Sequence, residues 1–221
     1  MKTYGLIGKN IDYSFSKSYF NTKFKNELIK AKYINYDIEN IKEIKQIVSN
    51  SIELVGLNVT TPYKEEVIPF LDEVDSQAER IGAVNTIKIE SKKLIGYNTD
   101  AFGFTKSIFP LIAPNHHAAL ILGTGGAAKA IRHALVSMGY HINFVSRDKE
   151  KGDFTYEELT SEIIKNHQLI VNCTPLGTHP DVNQCPPIPF QFVEETHLLY
   201  DLIYNPSITS FLAQGKEKVS L

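Results

Sequence analysis

Residues Gly123 to Ala128 read GTGGAA. The apolar segment before them, Ala118 to Leu122, reads as a strand, and Lys129 to Met138 after them fits a helix. A tight glycine turn from strand into helix lets backbone N–H groups approach a pyrophosphate closely, and the helix N-terminus adds a favourable dipole. Gly123, Gly125 and Ala128 fit the spacing G-x-G-x-x-A, with the small Ala where helix and strand pack. A glycine-rich turn without a ligand satisfies the same spacing. The next strand candidate, His141 to Val145, is followed by Ser146 and Arg147. An NAD-binding unit usually places an Asp or Glu there for the ribose 2′-hydroxyl, whereas a basic residue suits the 2′-phosphate of NADP. Lys149 and Lys151 add charge and Asp148 and Glu150 dilute it, so Arg147 carries this reading against that of a plain solvated loop. The second half is therefore expected to hold a dinucleotide, and the first half what the dinucleotide reacts with.

The chain has 221 residues, 43% hydrophobic and 22% charged, with a formal net charge of −2. That mix fits a soluble globular protein and gives no reason to expect nucleic-acid or membrane binding. No apolar run approaches membrane-spanning length, and Met1-Lys2-Thr3 leads straight into a strand, without a secretory pattern. Two cysteines, Cys173 and Cys185, make no disulfide framework, so a cytoplasmic location is expected. Seven histidines lack metal-ligand spacing, and no metal is expected.

The first half alternates strands and helices. Strands are expected at Tyr4–Ile7, Tyr33–Ile38 and Leu54–Val59. A helix is expected over Ser18–Ile29 with Phe20, Phe24 and Leu28 on one face, and another after an Asn40 N-cap. Ala83–Glu90 and Leu94–Tyr97, joined by Ser91-Lys92-Lys93, read as a hairpin. The outcome is a mostly parallel sheet with one antiparallel strand. From about residue 101 the pattern restarts. A helix at Ala101–Phe109 leads to the glycine-rich unit, followed by a helix at Tyr156–Asn166 and strands at Leu169–Asn172 and Leu198–Leu202. The fold class is α/β: two α/β domains, residues 1–100 and 101–221, with a cleft between them as the expected ligand site.

The unusual polar clusters of the first half lie near strand ends, where open α/β sheets bind ligands. They are GLNVTTPYK (Gly56–Lys64), GAVNT (Gly82–Thr86) and GYNTD (Gly96–Asp100). Lys64 and Asp100, presented by separate strand ends, can pair: the carboxylate holds the ammonium, and the lysine exchanges a proton with a hydroxyl. A surface lysine at a helix start and an aspartate N-cap before Ala101 are the plainer alternatives. For Asn58, Thr60, Asn85 and Thr86 the alternative is local turn chemistry.

Taken in order, these segments resemble the shikimate dehydrogenase family over about residues 4 to 213. GLIG (Gly5–Gly8), Ser14-Phe15-Ser16, NVTTPYK, IGAVNT, GYNTDAFGF, GTGGAA, NCTPLG (Asn172–Gly177) and YDLIYNP (Tyr200–Pro206) carry the likeness. The resemblance implies an N-terminal substrate-binding catalytic domain and a C-terminal Rossmann-type NADP domain. It implies NADPH-dependent reduction of 3-dehydroshikimate to shikimate, a step of aromatic amino-acid biosynthesis. By that resemblance Lys64 and Asp100 are the catalytic pair. Ser14 and Ser16, helped by Tyr204, hold the substrate carboxylate, and Thr60, Asn85 and Asp100 contact ring hydroxyls. Gly123, Gly125, Gly126 and Ala127 line the pyrophosphate loop, Ser146 and Arg147 meet the 2′-phosphate end, and Thr174 and Leu176 lie near the nicotinamide. The partner is the small-molecule substrate alone, and the assembly is expected to be a monomer or homodimer.

Two features depart from the family pattern. Tyr13 and Lys17 flank the serine pair where the family has His and Pro, and the chain ends in GKEKVSL (Gly215–Leu221) without the family's helix that returns to the first domain. Two other readings stay open: an NAD-dependent quinate or shikimate dehydrogenase paralogue, against which Arg147 argues, and a catalytically weak dinucleotide- or shikimate-binding protein, against which Lys64 and Asp100 argue.

Overall fold

The computed structural model describes residues 1–12 and 14–218. Tyr13 and Val219 to Leu221, both part of the departures noted above, lie outside the described residues. The chain divides into two compact units, Met1–Asp100 and Ala101–Leu221. No helix among the described residues is long and apolar enough to cross a membrane.

Unit 1 is built on a six-stranded sheet. Its elements are β1 (Lys2–Gly8), α1 (Phe15–Asn26), β2 (Ala31–Asp37), α2 (Ile44–Asn50), β3 (Leu54–Val59), β4 (Glu73–Val74), α3 (Ser76–Ile81), β5 (Thr86–Glu90) and β6 (Lys93–Tyr97). The strand order is β2-β1-β3-β5-β6-β4. Only β5 runs against its neighbours, as the hairpin predicts. Ser91 and Lys92 both take positive φ, 50° and 69°, so two residues close the hairpin and Lys93 already belongs to β6. The apolar face of the sheet packs Ile7, Leu57, Val59 and Ile87 against Ile41, Ile44 and Val67. Reversing β5 brings its start level with the ends of β3 and β6: Asn58 pairs with Thr86, and Thr86 with Tyr97. That edge carries the polar clusters.

Several element boundaries differ from the sequence expectation, each for a local reason. Helix α1 starts earlier because the Ser14 hydroxyl caps it, accepting from the Ser16 N–H at 3.3 Å. It ends before Leu28, which takes φ 54° and is 89% exposed. Phe20 and Phe24 do pack on Leu6, Ile11 and Tyr33, whereas Leu28 leaves that face. The strand expected from Ala83 begins only at Thr86, because Gly82, at φ 73°, ends α3 and residues 83–85 turn from it into the sheet. Helix α3, capped by Asp75, and the short β4 carry no periodic apolar signal of their own.

Unit 2 contains α4 (Asp100–Ile108, starting on the last residue of unit 1), β7 (Ala118–Leu122), α5 (Gly126–Ser137), β8 (His141–Val145), α6 (Ser161–Lys165), β9 (Leu169–Asn172), β10 (Leu198–Asp201) and α7 (Ser210–Lys218). All strands of its sheet are parallel, in the order β10-β9-β7-β8. Strand β9 is buried throughout and β7 nearly so, which explains their continuous apolar runs. The helix expected over Tyr156–Asn166 splits. A 3-10 turn over Tyr156–Glu158 is capped from Thr155, extended Leu159 breaks it, and Thr160 caps α6 anew. Residues from Gly215 to Lys218 continue α7, whose Phe211 is fully buried and whose Gly215 lies against Leu199 of β10.

Tyr156 is buried in the core of unit 2, and desolvation pushes its phenol up to about 12, opposed by the nearby Arg147 guanidinium. Above its ordinary value of about 10 the unfolded chain loses this proton while the folded one keeps it, so the group's contribution to stability falls as pH rises from about 10 to 12. Urea denaturation across that window is expected to show a shallower loss of stability in Tyr156→Phe than in the native chain. Equal slopes would contradict this assignment.

Candidate active site

The turn after β3 fixes Lys64. The Thr60 N–H donates to the Ile7 carbonyl at 3.0 Å, so the chain stays pinned to β1 as it leaves the sheet. Gly8 makes room: a Cβ there would lie 2.5 Å from Thr60 Cγ2. The next peptide, Thr61–Pro62, is cis. Tyr63 is buried and its hydroxyl donates to the Ile38 carbonyl at 2.8 Å, anchoring the turn from below. The Lys64 carbonyl accepts from the Val84 N–H at 2.7 Å, which ties this turn to GAVNT. Lys64 therefore sits in a fixed turn, not at a helix start.

Asp100 is the first residue of α4, and its own N–H donates to the Asn98 side chain at 3.0 Å. Its carboxylate is not spent on capping. Lys64 Nζ donates to Asp100 Oδ2 at 2.7 Å, with the two side chains only 17% and 29% exposed. Asn85 Nδ2 donates to Asp100 Oδ1 at 2.6 Å and to Thr99 Oγ1 at 2.9 Å. Lys64, Asn85, Thr99 and Asp100 thus form one cluster, and Thr86 and Asn58 adjoin it through Asn85. A half-buried ammonium held by a carboxylate, beside neutral amide and hydroxyl groups, is equipped to pass one proton to an oxygen.

The other expected substrate residues belong to other elements. Ser14 and Ser16 stand at the start of α1, where the Ser14 hydroxyl serves the helix cap. Thr60 follows β3, with its methyl against Gly8. Tyr204 belongs to unit 2, after β10, and is 67% exposed. The sequence reading passed over Thr99, although the NTD run places it beside Asp100.

In unit 2 the crossing point of the sheet lies between β7 and β9, since β8 is on one side of β7 and β9 on the other. Ligands of such sheets sit outside the strand ends at that point. Gly123 leaves β7 at φ 100°, a left-handed conformation that a side chain rarely tolerates, and it approaches Cys173 and Thr174 after β9. Gly125 occupies the N-cap of α5 with no side-chain cap bond and open space where a Cβ would stand. The first N–H groups of this 12-residue helix lack intrahelical partners, so Gly126 and Ala127 offer donors to an anion. Ala128 is fully buried against the sheet, as the small third position requires. This cradle fits a dinucleotide pyrophosphate.

The Ser146 hydroxyl is turned inward and accepts from the Asp148 N–H at 3.1 Å, shaping the loop after β8. Lys149 and Lys151 are taken up by Glu158 at 2.8 Å and Asp148 at 3.2 Å. Arg147 is exposed, and among the described residues no ion pair engages it. Across the switch point, fully buried Asn172 donates to both Asp201 oxygens at 3.1 and 3.2 Å and accepts from the Thr174 N–H at 3.0 Å and hydroxyl at 2.7 Å. Thr174 in turn accepts from the Leu176 N–H at 3.3 Å. Asn172 and Asp201 thereby hold the Thr174–Leu176 loop. Sequence reasoning gave them no role, because their partnership joins residues far apart in the chain.

A family model described as the shikimate dehydrogenase substrate binding domain matches residues 6–87. Shikimate dehydrogenase (NADP(+)) of Methanococcus aeolicus is 34% identical, the alignment covering 98% of this chain and 84% of that one. The crystal structure of shikimate dehydrogenase 1 from Peptoclostridium difficile matches with a TM-score of 0.85 at 35% identity, over 99% of this chain and 84% of that one. That of shikimate 5-dehydrogenase from Thermus thermophilus, in complex with NADP(H) and shikimate, matches with a TM-score of 0.83 at 28% identity, over 100% and 87%. With two mainly parallel α/β sheets, a glycine cradle at the switch point of the second and this similarity along almost its whole length, the chain belongs to the shikimate dehydrogenase family.

Proposed function

We propose that this chain catalyses the reversible, NADPH-dependent reduction of 3-dehydroshikimate to shikimate. The observation that carries the reading is the 2.7 Å contact between Lys64 and Asp100, with Asn85 on the second carboxylate oxygen. NADPH, when bound, supplies the hydride that adds to the ketone carbon. Lys64 donates a proton to the ketone oxygen as negative charge develops there, so the alcohol forms without a free alkoxide. Asp100 holds the ammonium in place and takes part in binding a ring hydroxyl together with Thr60 and Asn85. Ser14 and Ser16 bind the substrate carboxylate with Tyr204. A small polyhydroxy acid needs many neutral donors and acceptors, and these side chains supply them.

Residues 1–100 act as the substrate domain and 101–221 as the NADP domain. Gly123, Gly125, Gly126 and Ala127 receive the pyrophosphate, while Ser146 shapes the loop from which Arg147 meets the 2′-phosphate. Thr174 and Leu176 border the nicotinamide. The unengaged guanidinium of Arg147 favours NADP over NAD. The modest net charge and two cysteines outside any disulfide fit a cytoplasmic enzyme, monomeric or homodimeric, that acts on a small molecule and not on nucleic acid or a membrane.

Shikimate oxidation followed by NADPH absorbance tests the reading. Lys64→Ala is expected to lose about 10²- to 10⁴-fold in kcat with a smaller change in KM. Turnover equal to that of the native chain would remove Lys64 from the mechanism. Arg147→Ala is expected to weaken NADP(H) binding by about 1.5–3 kcal/mol and leave NAD(H) binding nearly unchanged, measured by titration with each cofactor. Equal losses for both cofactors would count against the 2′-phosphate contact.

A further inference from the structure

The Asn85 amide has two orientations related by a flip, and only one of them offers Asp100 a donor. The Thr99 hydroxyl contacts both ends of that amide and so does not choose between them. Two other groups do. The Thr99 backbone N–H, which can only donate, meets Asn85 Oδ1 at 2.9 Å. The Thr86 hydroxyl donates to the same oxygen at 3.0 Å. A hydroxyl has one hydrogen and can turn it elsewhere, so its direction needs a cause. Asn58 Nδ2 donates to Thr86 Oγ1 at 3.3 Å, which leaves the Thr86 hydrogen for Asn85. Asn58 is itself oriented by the Asn85 backbone carbonyl, which can only accept and meets Asn58 Nδ2 at 3.5 Å; that turns Asn58 Oδ1 to the far side, where the hydroxyl of buried Tyr33 donates to it at 2.8 Å. The donors run in one direction, from Tyr33 through Asn58, Thr86 and Asn85 to Asp100 Oδ1. Their scaffold is the sheet, in which Asn58 and Thr86 are direct cross-strand partners.

We infer that Thr86, backed by Asn58 and Tyr33, is a positioning residue for the proton-transfer pair. It locks the Asn85 amide so that one Asp100 oxygen is bound and the other is left for Lys64. The inference rests on the reading of Lys64 and Asp100 as that pair. Without the Thr86 hydroxyl, Asn85 keeps only the Thr99 donors on its oxygen, and the carboxylate gains freedom to turn away from Lys64.

The test compares kcat and KM for shikimate in Thr86→Val, Thr86→Ser and Tyr33→Phe, with Lys64→Ala assayed alongside and thermal midpoints recorded. Thr86→Val is expected to lower kcat about 3- to 10-fold, the effect of one hydrogen bond, with KM nearly constant. Thr86→Ser, which keeps the hydroxyl, should restore most of kcat, and Tyr33→Phe should lose less than Thr86→Val. On an Asp100→Asn background, Thr86→Val should cost nothing further. If Thr86→Val keeps native kcat while Lys64→Ala loses its factor, the positioning role is overturned and the pair stands. A Thr86→Val loss that adds in full to Asp100→Asn, or that follows a fall in thermal midpoint without rescue by serine, also overturns it. Should Thr86→Val fail to fold, native kcat in Tyr33→Phe decides against the chain of donors. Native turnover in Lys64→Ala removes the pair and the inference with it.

Discussion

The ammonium of Lys64 meets the carboxylate of Asp100 at 2.7 Å, and much of unit 1 is arranged so that it can. The two residues are far apart in sequence and sit on different turns. Those turns converge because β5 runs antiparallel, which sets its start beside the ends of β3 and β6. Tyr63 pins the lysine turn from within the core, and the Val84 N–H ties it to the GAVNT segment. Partial burial strengthens the contact by excluding water, and the same burial demands that every remaining polar atom be paired. Asn85 meets that demand for the second carboxylate oxygen. A hydrophobic core and a polar network are here two faces of one sheet edge.

Unit 2 solves a different problem with backbone. Its glycine turn leaves open space at Gly125, ahead of the free N–H groups of α5, and the left-handed Gly123 brings the turn close to the segment after β9. The opposite wall of that switch point is set by a side chain, fully buried Asn172, whose two ends serve Asp201 and Thr174. On the proposed reading, the first half of this chain manages one proton with charged and neutral side chains. On the same reading, the second receives the cofactor with main chain and the exposed Arg147.

The parts legible in the sequence were those governed by local rules. The strands Leu54–Val59, Ala118–Leu122, His141–Val145 and Leu169–Asn172 coincide with the apolar-rich runs that mark them. The glycine spacing and the hairpin turn were likewise visible. Where two caps compete, as Thr155 and Thr160 do, periodicity alone suggests one helix and the structure makes two short ones. Helix α3 was missed because its six residues are too few to show a period. At the site, the polar types at strand ends pointed to Lys64, Asn85 and Asp100. The partnerships of Tyr33 with Asn58 and of Asn172 with Asp201 were not legible, since they depend on strand register between distant segments.

A double-mutant cycle on kcat with Lys64→Ala and Asp100→Asn tests the central claim most directly. If the two side chains act as one unit, the double variant is little slower than the slower single variant, because removing either already dismantles the pair. Losses that multiply in full would show that the two groups act independently and would contradict the account.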